Sequence, residues 1–163
     1  MKETKIQKTN VMRILEQKKI TYDYYTYPRG DEAVDGLEVS RLINVNPDNV
    51  YKTLVARGSN NKNNYYVFVI PVKEQLDLKK ASKAVNEKAV EMVHVKELLQ
   101  LTGYVRGGCS PIGMKKFFPT IFNDSINSIS EIIFSAGKIG FQVKLDIKDI
   151  EKVIKYNICD IIE

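Results

Sequence analysis

Gly107-Gly108-Cys109-Ser110-Pro111-Ile112-Gly113 is a turn too rich in glycine and proline to be a helix or a regular strand. Without Cβ atoms, Gly107 and Gly108 let another group come close to the main chain and meet its N–H donors. Such a loop can stabilise negative charge developing on an oxygen with no side chain involved, or it can be a plain tight connection. Its spacing matches no phosphate-binding glycine motif. Cys109 and Ser110 add a thiol and a hydroxyl, which invites a hydrolase nucleophile reading, but such a nucleophile needs a base. The chain has one histidine, His94, between Val93 and Val95, and no cue ties it to the loop. Cys109 and Ser110 are therefore read as pocket-lining groups rather than nucleophiles.

Lys52 is the odd residue of its segment. Alternation puts it on the side of Val50, Leu54 and Ala56, while Tyr51, Thr53 and Val55 take the other. Either its stem lies on apolar surface with the ammonium in water, or the ammonium points into a cleft and holds a phosphate, a carbonyl or a ribose. Tyr27 stands at the end of a β-rich run before Pro28, where its ring can stack on a base or pack at a rim. Ser135-Ala136-Gly137-Lys138-Ile139-Gly140 reads as a hairpin turn whose Lys138 can also reach a phosphate. Cys109 and Cys159 form no C-x-x-C pair, and a single histidine leaves zinc few ligands, so neither a disulfide framework, a metal nor another cofactor is expected.

The elements that must position these groups follow from periodicity. Residues 9 to 18 read as an amphipathic helix, 22 to 27 as a strand, 28 to 36 as a polar loop turning at Gly30 and Gly36, and 37 to 43 as a short helix. Residues 50 to 57 are a strand candidate paired in a hairpin with Tyr65-Tyr66-Val67-Phe68-Val69-Ile70, whose β-formers on both faces mark a central buried strand. Asp77 caps a helix with Leu78, Ala81 and Val85 on one face, and a shorter helix at 95 to 101 ends at Gly103. Thr120-Ile121-Phe122, Glu131 to Phe134 and Phe141 to Leu145 are further strands, the last half-buried, and Asp146 caps a final helix through Ile147, Ile150 and Val153. Helices around strands that mostly pair as hairpins predict an α+β fold.

At 163 residues the chain fits one domain, 1–163, and its 44% hydrophobic and 28% charged residues are globular composition. No apolar run approaches a membrane span, and the charged start offers no secretory signal, so a soluble cytoplasmic protein without membrane partners is expected. With 25 Lys and Arg against 20 Asp and Glu, the net charge of +5 favours polyanionic partners such as nucleic acid.

Several motifs together resemble the YbaK family, freestanding Cys-tRNA(Pro) deacylases related to the editing domain inserted in bacterial prolyl-tRNA synthetases. They are Asn46 to Leu54, Gln75 to Lys80, Val90-Glu91-Met92, Thr102-Gly103-Tyr104 through Gly113, Lys115-Lys116, and Ser135 to Gly140, in family order and near family spacing. The resemblance implies an α+β fold with a mixed, mostly antiparallel, barrel-like sheet surrounded by helices. It also implies hydrolytic release of an amino acid from mischarged tRNA(Pro), most of all cysteine, with prolyl-tRNA synthetase as a candidate partner. In its terms Lys52 is the critical side chain, and the backbone at Gly107 and Gly108 helps hold the aminoacyl ester. Residues matching Tyr27, Thr53 and Ser135 line the same pocket in the family, and Cys109, Ser110, Lys138 and Gln142 are the further expected substrate-binding residues. The chain departs from the pattern at Gln142, where some members have a carboxylate, and at Cys109, often aliphatic. The implied mechanism is substrate-assisted: the thiol of the attached cysteine attacks its own ester. An Ala-tRNA(Pro) deacylase, and a module that binds aminoacyl or nucleotide ends without turnover, are the alternatives.

Overall fold

A computed structural model describes residues 7–28 and 34–163. Its centre is β3 (Tyr65–Pro71), which is apolar on both sides because both sides are covered. Val67 and Val69 enter one core, with Val11, Met12 and Leu15 of the first helix, whereas Tyr66, Phe68 and Ile70 enter a second core with Ala81 and Ile161. Two-sided burial is what a strand with no polar alternation requires.

β2 (Tyr51–Gly58) pairs antiparallel with β3, placing Lys52 opposite Ile70 and Thr53 opposite Val69. β4 (Val90–Met92) flanks β2, and β5 (Thr120–Asn123) and β8 (Asn157–Cys159) continue the sheet beyond β3, giving the order β4-β2-β3-β5-β8. A second sheet has the order β1-β7-β6, from β1 (Tyr22–Thr26), β6 (Glu131–Ser135) and β7 (Phe141–Asp146). The sheets meet at a parallel bridge between Val50 and Ile133. They do not close on each other, so the barrel-like sheet implied by the resemblance is instead a mixed five-stranded sheet and an antiparallel three-stranded sheet joined at one corner.

Hairpins account for β2 with β3 and β6 with β7, but β3 with β5 and β5 with β8 are parallel. A parallel neighbour needs a long crossover, and the segment from 72 to 119 supplies it. That crossover carries α3 (Leu78–Ala84), β4, α4 (Val95–Thr102) and the glycine loop. α1 (Asn10–Gln17) starts under the Thr9 hydroxyl, which accepts from Met12 N at 3.2 Å. Asp77 caps α3 by accepting from the N–H groups of Lys79 and Lys80 at 2.9 and 3.1 Å, and α4 stops at Gly103 with φ +85°.

Some local expectations shift. Gly36 is not a turn point: it opens α2 (Gly36–Leu42), where a Cβ would lie 2.6 Å from Val72 Cγ1, so close packing demands the glycine. Gly30 lies outside the described residues. Leu78 is 47% exposed, leaving Ala81 as the buried apolar residue of α3. β7 alternates as a half-buried strand should, with Phe141, Val143 and Leu145 buried and Lys144 and Asp146 toward solvent, except that Gln142 on the polar face is buried as well. The final helix is a 3-10 segment, Ile147–Lys152, still capped by Asp146 at Lys148 N. The unpredicted strands β4 and β8 have three residues each, too few to show a period.

Candidate active site

β4 covers β2 only from Ala56 to Gly58, and Val93 N donates to Val55 O. Among the described residues, that edge of β2 upstream of Val55 has no strand partner until the bridge at Val50. A cleft of about 1070 Å³ lies along this gap, large for a ligand site. The gap explains why Lys52 and Thr53, neighbours on opposite faces of one strand, both line it. The ladder also fixes the peptides. Val50 O accepts from Val72 N on the β3 side and Val55 O from Val93 N on the other, so alternation turns the N–H and C=O of Thr53 toward the open edge.

Among the described residues the Lys52 ammonium has no ion-pair or hydrogen-bond partner, while many of the other cations are paired. Burial holds its pKa below the ordinary lysine value, and the carboxylates of Asp35 and Glu74 pull it back up. The Thr53 hydroxyl is buried without a partner among the described residues. A buried, unpaired hydroxyl is costly unless something else bonds it. Ser135 and Gln142 face each other in the β6–β7 register, and both line the cleft. Ser135 Oγ accepts from Gly137 N at 3.1 Å, leaving its proton free to donate. Tyr27, buried, reaches the same wall because its N–H donates to Gly140 O at 3.0 Å, anchoring it to the hairpin turn.

The glycine loop meets the cleft through Arg106, Gly107 and Cys109. Gly107 adopts φ +86°, and among the described residues its N–H has no acceptor. Gly108 differs. Its N–H donates to Val105 O at 3.0 Å, and a Cβ there would lie 3.1 Å from Ile139 N. The expected oxyanion donor is thus a packing glycine that lets the loop rest against the hairpin turn. Ser110 is fully buried beneath the loop, its hydroxyl accepting from Ile112 N at 3.3 Å, and Lys138 is exposed with its ammonium over the Phe141 ring at 5.4 Å. Neither is a cleft residue.

Cys109 is 8% exposed and burial pushes its thiol up to about 12, so at neutral pH it carries its proton. His94 is exposed at the N-cap position of α4 and does not line the cleft, although Val93 and Val95 do. The gathered groups can thus bind and polarise a carbonyl, with no side-chain nucleophile and base in contact. Asp35 and Arg106 were missed by the sequence reading. Arg106 was detectable as a cation beside the paired glycines; Asp35 was not, since only the packing of α2 brings it to Lys52.

The model of the aminoacyl-tRNA editing domain matches residues 32–153. A protein of Enterococcus faecalis (strain ATCC 700802 / V583) named "Putative Cys-tRNA(Pro)/Cys-tRNA(Cys) deacylase EbsC" is 46% identical over 139 residues, 85% of this chain and 84% of that one. The chain belongs to the aminoacyl-tRNA editing domain family. It is accordingly an aminoacyl-tRNA deacylase, and the cleft along β2 is the editing domain's candidate active site. Two solved structures share the editing domain's fold. One, described as "a putative trans-editing enzyme for prolyl tRNA synthetase", has TM-score 0.79 at 20% identity over 94% of each chain. The other, of a hypothetical protein, has TM-score 0.80 at 17% identity over 94% of this chain and 99% of its own.

Proposed function

We propose that the protein clears mischarged tRNA(Pro), with the cysteinyl ester as its main substrate and the substrate's own thiol as nucleophile. The observation that carries this reading is the Lys52 ammonium, unpaired among the described residues, in a cleft whose described lining holds the protonated thiol of Cys109 and no histidine. The name of the Enterococcus relative supports cysteine as the amino acid.

The aminoacyl adenosine end enters the cleft, with its ester carbonyl at Lys52 and the peptide of Gly107. The substrate thiol attacks the ester carbon, forming a C–S bond. The carbonyl oxygen takes the negative charge, and the ammonium and peptide donor stabilise it. Collapse breaks the bond to the ribose oxygen, which takes the proton the thiol gave up. The tRNA leaves uncharged, and the thiolactone is opened by water to cysteine. The Thr53 hydroxyl, Ser135, Gln142 and the ring of Tyr27 orient the substrate, which supplies proximity rather than chemistry. Prolyl-tRNA synthetase is the candidate partner that delivers the tRNA.

The test compares cysteinyl-, alanyl- and seryl-tRNA(Pro) on one enzyme preparation. Cysteine should be released fastest and serine slowest, since serine keeps the size and loses the thiol. Serine release as fast as cysteine would exclude self-attack, and alanine released fastest would make this an alanine editor in which water is the nucleophile.

A further inference from the structure

The surface outside the cleft has a composition of its own. Arg106 sits on the cleft wall. Three residues upstream, Gly103 ends α4, and the stem of Lys115 crosses it, with Cγ 3.3 Å from where a Cβ would stand. Lys115 N donates to Thr102 O at 3.0 Å, which fixes that seat. Consecutive Cα atoms are about 3.8 Å apart, so Gly103 lies within about 11 Å of Arg106. Lys116 and Phe117 follow directly, both exposed, and Phe117 is 65% exposed while its neighbour Phe118 packs edge-on to Tyr65. None of Arg106, Lys115 and Lys116 has an ion-pair partner among the described residues. Lys115, Lys116 and Phe117 do not line the cleft itself, but an exposed ring beside cations unpaired among the described residues, reached from the cleft wall through Arg106, Gly103 and Lys115, is the composition of a single-strand path.

We infer that Arg106, Lys115, Lys116 and Phe117 form a track for the single-stranded 3′ end of the RNA, running outward from the cleft, with an unstacked base on the Phe117 ring. This rests on the reading of the cleft as the seat of the terminal aminoacyl adenosine. The cations neutralise successive phosphates, and the ring takes any base because every base has a π face. The track therefore serves affinity for the single strand, not the choice of amino acid.

The experiment uses a fluorescein-labelled RNA oligonucleotide ending in CCA, with fluorescence anisotropy at several salt concentrations, on the wild type, Lys115→Glu/Lys116→Glu and Phe117→Ala. The charge variant should bind at least about tenfold more weakly and flatten the salt dependence by about 1.4 in log–log slope, two contacts at about 0.7 each. Phe117→Ala should weaken binding about fivefold or more and keep the wild-type slope. On cysteinyl-tRNA(Pro) both variants should raise KM and leave kcat, and on 3′-cysteinyl-adenosine, which lacks the upstream strand, both should match the wild type. Oligonucleotide binding unchanged in both folded variants overturns the track, and so does equal loss on the adenosine ester. If the wild type cleaves neither ester while the variants still lose RNA binding as described, the reading of the cleft fails and the track stands.

Discussion

At the scale of single residues, Lys52 is placed where a lysine is least comfortable, its ammonium partly out of water and without a partner among the described residues. A base whose folded pKa lies below its unfolded value costs stability while it is protonated, and the cost fades as pH rises through the folded value. Lys52→Met should therefore be at least as stable as the wild type at pH 7, by thermal melting, with the difference shrinking toward pH 10. The same depression means that deacylation dependent on the ammonium falls off at a lower pH than an ordinary lysine would dictate, which a kcat profile corrected for spontaneous ester hydrolysis will show. Cys109→Ala should keep turnover of cysteinyl-tRNA(Pro) within about tenfold, because a thiol pushed up to about 12 is not the nucleophile. A loss of three or more orders of magnitude would restore it to the chemistry. Lys52 was legible in the sequence because a charge interrupts an apolar alternation. Gly108 was misread because composition cannot say which of two adjacent glycines spends its N–H inside the turn.

At the scale of elements, the cleft depends on Tyr104. Its ring is buried and its hydroxyl donates to Ile112 O, tying the two ends of the glycine loop. A Cβ at Gly113 would lie 2.8 Å from Tyr104 Oη, and one at Gly137 would lie 2.9 Å from Tyr104 Cε1, both at positive φ. One tyrosine thus spaces the glycine loop from the β6–β7 turn, and Gly113→Ala should cost about 1 to 3 kcal/mol in urea unfolding. Glu87 fastens the far end of β2. The Tyr66 hydroxyl and then Asn60 N–H hold its carboxyl below the usual carboxylate range. A carboxyl with a lowered folded pKa stabilises above its unfolded value, and that stabilisation is lost as pH falls through the folded one. Glu87→Gln should accordingly shift the urea midpoint down at pH 7 and narrow that gap at pH 3. The six longer strands, the caps at Asp77 and Asp146 and the stop at Gly103 were readable because each follows from local chemistry. The parallel pairing of β5 and the open edge of β2 were not, since both depend on where the crossover after β3 returns.

At the scale of the whole molecule, the C-terminal segment closes the five-stranded sheet. Ile161 is fully buried, its N–H donates to Asn123 Oδ1 at 3.1 Å, and its carbonyl accepts from Asp77 N at 2.8 Å. Ile161→Ala should cost about 2 to 5 kcal/mol and loosen the α3 side while leaving the residues of the cleft in place. The net charge of +5 gives the molecule a general attraction to RNA, and no described helix is long and apolar enough to cross a membrane. Binding of tRNA should weaken steeply with salt. The most direct test of the account is single-turnover deacylation of cysteinyl-tRNA(Pro) by the wild type and Lys52→Met, with folding of both checked by circular dichroism. The account predicts that the variant stays folded and slows the chemical step by about a hundredfold or more; wild-type release of cysteine by the folded variant would contradict it.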